Sequence, residues 1–118
     1  MSHSIFQMSF QSVYQALVAK VERKGGHGQD VDRLIAWLMG YSNEEIAELK
    51  KSDVSYGDFL DQAPSYNPHR QNITGKICGI QIETIADDQM QKLRQLDKLV
   101  DWLAKGKTSE QVIAKYEE

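Results

Sequence analysis

A chain of 118 residues, 41% hydrophobic and 26% charged, has the make-up of one globular domain. Its formal net charge of −3 disfavours a nucleic-acid binder, whose affinity comes mostly from neutralising phosphates. The single cysteine, Cys78, excludes an internal disulfide and suits a reducing cytoplasm; no apolar run approaches the roughly 20 residues that span a bilayer, and MSHSIFQMSF lacks a basic start followed by an apolar core, so no signal peptide is expected.

Residues 1–8 read as a loose end. Phe10, Val13, Tyr14, Leu17, Val18 and Val21 then recur at one-face helical spacing, which predicts an amphipathic helix over about Ser9 to Lys24, stopped at Gly25. The basic, Gly-rich end of that helix is a poor anion cradle, because the amides that hold anions lie at helix N-termini. Val31, Leu34, Ile35 and Leu38 mark the next helix and Gly40 its stop. Ser42 and Glu45 have capping-box spacing for a helix from Asn43 to about Lys51, with Ile46 and Leu49 inward and Glu44 and Glu48 on a solvated face. Ser55 or Asp53 caps a short helix presenting Tyr56, Phe59 and Leu60 to the core. Residues 29–64 carry eight acids and three bases, a local acidic surface.

Residues 63–72 hold both prolines and read as the connecting loop. In 73–85, Cys78, Ile80 and Ile82 alternate with Gly79, Gln81 and Glu83, so a short extended segment near 76–83 is expected, paired with residues 52–56 or with a second copy of the chain. Asp87 or Asp88 starts a long helix through Met90, Leu93, Leu96, Val100 and Leu103 to Lys105, and a last helix, Ser109 to Tyr116, turns Val112, Ile113 and Tyr116 inward.

Val31 to Ile46 and Leu96 to Val112 are internally similar. Asp32, Leu34, Trp37 and Leu38 fall on Asp97, Leu99, Trp102 and Leu103; with one extra residue in the second copy, Gly40, Ser42, Glu44 and Ile46 fall on Gly106, Thr108, Glu110 and Val112. Each copy reads as helix, glycine stop, Ser/Thr cap and second helix. The expected fold is mainly α: one small bundle of two related helical hairpins with the N-terminal helix across them, divided into halves 9–62 and 73–118.

The best candidate site in the sequence spans the polar loop and the segment after it: Asn67, His69, Arg70, Thr74, Cys78, Glu83 and Arg94, with Asp97 and Lys98 beside them. Arg70 and Arg94 would hold a small anionic ligand. Against this, Asn67 suits an Asx-turn, Thr74 and Glu83 suit local backbone groups, and Arg94 suits an acid. Cys78 as a nucleophile needs a base, and His69 lies nine positions away; a buried inert thiol fits better. His3, His27, His69 and Cys78 lack zinc-site spacing, so no metal or cofactor is expected. Trp37 and Trp102 suit core or oligomer contacts. Leu96 to Tyr116 resembles a helix–turn–helix in outline, with Lys98, Lys105 and Lys107 cationic, but its second helix offers Glu110, Gln111, Lys115, Glu117 and Glu118, and three acids facing phosphates disfavour DNA binding.

Taken together, Glu22-Arg23-Lys24-Gly25, Trp37-Leu38, Gly40-Tyr41, Ala63-Pro64, Asn67-Pro68, Ile73-Thr74-Gly75, Cys78-Gly79 and the run from Leu96-Asp97-Lys98-Leu99 to Lys105-Gly106-Lys107 resemble the bacterial domain of unknown function 2200 family over nearly the whole chain. The chain departs from that pattern at Met39, Gly26-His27-Gly28 and Trp102. The resemblance implies a bacterial cytosolic protein and brings no activity with it. Three readings remain: a non-catalytic helical module that binds a protein partner or itself, a small-anion or enzymatic site at 67–83, and, remotely, nucleic-acid binding.

Overall fold

Ser9 opens the first helix in the way its side chain favours: Ser9 Oγ accepts from Ser12 N at 3.1 Å, and α1 (Phe10–Arg23) follows with Phe10, Val13 and Val21 buried. The computed structural model describes residues 4–77 and 79–117, so the expectations for His3 and Cys78 lie outside the described residues. The second helix, α2 (Gly28–Met39), begins earlier than its apolar stripe, with Asp30 in its first turn. It crosses α1 closely: a Cβ at Gly28 would lie 2.8 Å from Val18 Cγ1.

The hairpin turns obey the local signals. Gly40 ends α2 at φ +83, and Ser42 and Glu45 form a full capping box for α3 (Asn43–Lys51). Ser55 Oγ accepts from Asp58 N to start α4 (Tyr56–Asp61), whose Tyr56, Phe59 and Leu60 are buried. Asp87 caps α5 (Asp88–Ala104), Gly106 stands at φ +102, and Thr108 and Gln111 form the second capping box, for α6 (Ser109–Tyr116). The hairpins α2–α3 and α5–α6 share a core, with α1 against α2, α3 and α5. Helix α5 is the central element: Leu93, Leu96, Leu99, Val100 and Leu103 are buried, and it touches α1, α2, α4 and α6.

Two local expectations are corrected. Residues 4–8 are not a loose end. Ser4–Gln7 is a 3-10 turn packed on α4, Met8 O accepts from Tyr56 N at 2.7 Å, and Phe10 N donates to Val54 O at 2.8 Å around an antiparallel Ser9–Ser55 bridge. That bridge occupies the edge expected to pair with residues 73–85. The extended segment folds back on itself instead, as an antiparallel hairpin of β1 (Lys76–Ile77) and β2 (Ile80–Gln81), with Gly79 in the turn at φ +80. Reversing the chain between Ile77 and Ile80 breaks the simple alternation: Ile77 and Ile82 are buried, whereas Ile80 is 37% exposed. The connecting loop contains a 3-10 turn, Pro68–Asn72, and a third such turn spans Ile82–Thr84.

Candidate functional site

Lys98 and Trp102 stand four residues apart on α5 and therefore share a face. The Gly106 turn brings α6 back alongside, so Tyr116 Oη accepts from Trp102 Nε1 at 2.9 Å and fixes the indole. Asn72 Nδ2 donates to Tyr116 O at 2.7 Å, and Lys98 Nζ donates to Lys76 O at 2.9 Å, so the segment 72–76 forms one wall of the site.

The indole is half-buried and ringed by cations. The Nζ atoms of Lys98, Lys105 and Lys115 lie 5.5, 5.1 and 4.9 Å from its ring centroid. Two clefts meet at Trp102. One, of about 290 Å³, is lined by Trp102, Lys107, Gln111, Val112 and Lys115; the other, of about 330 Å³, by Asn72, Thr74, Lys98, Trp102, Lys115 and Tyr116. Only Lys105 in this group is matched by an acid among the described residues, pairing with Asp101 at 3.1 Å. Burial works to raise Asp101, but Lys105 and then Lys20 outweigh it and hold the carboxyl below its usual range. Each cation–π contact at an exposed site is worth about 0.5–1 kcal/mol, which gathers the ammonium groups without neutralising them. The result is a concentrated positive field on a chain of net charge −3. Lysines are point charges on flexible stems, so this face suits carboxylates or phosphates in varied arrangements more than one fixed planar anion.

Among the described residues, those selected from the sequence share no one cleft. Asn67 is spent on the backbone: its Nδ2 donates to Trp37 O at 3.2 Å and its Oδ1 accepts from His69 N at 2.8 Å. His69 is half-buried in that turn. Arg70 donates to Gln95 Oε1 at 3.1 Å, lies 3.6 Å from Asp88 and stacks over Tyr66. Arg94 pairs with Asp97 at 3.3 Å. Glu83 Oε1 accepts from Gly75 N and its Oε2 from Gln81 Nε2, contacts that hold the carboxyl below its usual value. Thr74 alone of this group lines the Trp102 clefts, with Lys98 beside it. The lysine ring was missed because Lys115 reaches Trp102 only through the α5–α6 turn; the spacings of Lys98 and Lys105 from Trp102 were its local signals.

A second polar cluster occupies a cleft of about 410 Å³ lined by Tyr14, Glu22, His27, Asp32, Lys50 and neighbours. Tyr14 Oη donates to Asp32 Oδ1, and Lys50 Nζ lies 3.0 Å from Asp32 Oδ2. Burial and then the Asp32 hydrogen bond push the Tyr14 phenol up. Burial alone would lower Lys50, but its contacts with Tyr14 and Asp32 outweigh that and raise it. Both groups therefore hold their protons at neutral pH, and the trio clamps α1, α2 and α3 together.

A family model described as an uncharacterized protein conserved in bacteria, DUF2200, matches residues 4–114. The chain belongs to the DUF2200 family. The crystal structure of uncharacterized protein SP1917 is 56% identical to this DUF2200 chain, covers 100% of it and 97% of its own chain, and superposes with a TM-score of 0.97. Comparison with curated proteins found no match. The DUF2200 match takes in Lys98, Trp102, Lys105 and Lys107 and ends just before Lys115. Among the described residues, no helix is long and apolar enough to cross a membrane.

Proposed function

We propose that the protein is a non-catalytic helical interaction module that works through the lysine-ringed Trp102 face and takes an acidic protein surface as its partner. The observation that carries this reading is the convergence of Lys98, Lys105 and Lys115 on one indole between two clefts that share Trp102 and Lys115. The clefts are shallow and their donors flexible, which fits a contact spread over a surface better than an enclosed small molecule. Among the described residues the large exposed hydrophobics are Met8 and Ile80, so the surface offers no broad apolar patch for an obligate interface. Association is electrostatic, fast and sensitive to salt. The reducing cytoplasm that a lone thiol suits is the compartment. The matched glycine stops and capping boxes support reading the two hairpins as one duplicated unit.

Fluorescence titration tests this with a labelled oligo-glutamate peptide. The peptide binds at low salt, and replacing both Lys107 and Lys115 with Ala weakens it about five- to thirty-fold, at about 0.5–1 kcal/mol per exposed charge pair. An unchanged affinity in the double variant overturns the assignment. Tight binding of a single-stranded oligonucleotide that survives physiological salt would favour nucleic acid instead.

A further inference from the structure

The largest cleft among those described lies on the other hairpin, about 530 Å³, with Tyr41, Leu49 and Pro64 as apolar walls and Glu44, Glu45 and Glu48 on its rim. Glu45 is committed to the capping box through Ser42 N at 2.8 Å. Glu44 and Glu48, one helical turn apart and exposed, have no cation within ion-pair distance among the described residues. The charge of the chain is divided in the same sense: residues 29–64, with eight acids and three bases, net −5 against −3 for the whole chain, so the remainder nets +2.

We propose that the acidic partner of the Trp102 face is this groove on a second copy of the chain. The proposal rests on the reading of that face as a binding surface and names its occupant. Charge complementarity is the argument. Lys98, Lys105, Lys107 and Lys115 form one positive face, and Glu44, Glu45 and Glu48 rim a negative groove of complementary charge. The two surfaces are built on different elements. The groove is on α3 and its flanking turns, and the lysine face on α5, α6 and residues 72–76. Each copy therefore offers both at once. A contact between two different patches is heterologous, so it propagates into rings or short chains instead of closing as a symmetric dimer.

Sedimentation equilibrium on the full chain tests this with paired charge reversals, Lys107→Glu with Lys115→Glu, and Glu44→Lys with Glu48→Lys. All four side chains are exposed, and thermal melts of each variant check that the fold is kept. The wild type associates beyond a dimer at low salt and dissociates at about 0.5 M salt, where the Debye length is only a few ångströms. Each double variant alone is monomeric. Mixed in equal amounts, the two associate again, because one keeps the groove, the other keeps the lysine face, and the two reversed patches are complementary to each other. A wild type that stays monomeric at low salt, or a mixture that does, overturns self-docking. If oligo-glutamate still binds the Lys107 and Lys115 face in that case, the interaction-module reading survives and only its partner is wrong.

Discussion

Asp97 sits where a carboxylate is poorly placed. Burial pushes its pKa up; the Arg94 guanidinium at 3.3 Å and the charge of Lys20 pull the other way, and Asp101 one turn along adds like charge. Because its pKa in the folded state lies above the unfolded value of about 3.9, the folded state binds the proton more tightly between those two values. Ionising Asp97 therefore costs stability at neutral pH, and acid relieves that cost as the pH falls through the folded pKa. Asp88 has the opposite sign. The Lys92 hydrogen bond, against opposing burial and with help from Arg70, lowers it, so its contribution is present at neutral pH and lost in acid. Asp97→Asn is expected to melt above the wild type at pH 7, with the gap closing towards pH 4 as the wild-type carboxyl gains its proton. A variant that melts lower at pH 7 would mean that the Arg94 pair outweighs burial. Arg94 and Arg70 were the sequence's choice as anion holders, and both are already engaged, with Asp97 and with Asp88 and Gln95. Sequence shows that an arginine is present but not how far its charge is spent.

The two hairpins differ most where they look most alike. At the end of α2 the free carbonyls are all met: Ala36 O by Gly40 N, Trp37 O by Asn67 Nδ2, Leu38 O by Asn67 N and Met39 O by Ser65 N. The loop presses so closely that a Cβ at Gly40 would lie 2.8 Å from Ser65 O. Gly106 has the same left-handed backbone but nothing within 4 Å of its missing Cβ. Gly106→Ala therefore meets only backbone strain, about 1–2 kcal/mol, while Gly40→Ala adds a steric clash with backbone and costs more. Urea midpoints of the two variants check the order, and an equal or reversed loss would contradict it. The stops and caps were legible in the sequence because glycine conformation and capping boxes are local. Asn67 was legible only in part: its Asx-turn to His69 N is local, but its other partner, Trp37 O, is 30 positions away. The same limit explains the 73–85 segment: alternation showed an extended chain, but the edge at residues 52–56 had already been taken by residues 8–10.

On the scale of the molecule, fold and function were unequally visible. Apolar spacing marked out the α helices and the inward residues of each, because burial of one face is written into every turn of a helix. Surface function is written in three dimensions. Lys98 and Lys105 flank Trp102 along one helix, but Lys107 and Lys115 join them only after the chain reverses at Gly106, and Thr74 only after the hairpin at 76–81 packs back on α5. The central claim is that this assembled face, not the polar loop before it, is what the protein uses. Amide chemical-shift mapping of the full chain titrated with an oligo-glutamate peptide at low salt tests it most directly. The expected shifts fall on residues 72–76, 98–107 and 111–116 and fade with added salt. Shifts centred on residues 66–70 and 83, with the Trp102 face silent, would contradict the account.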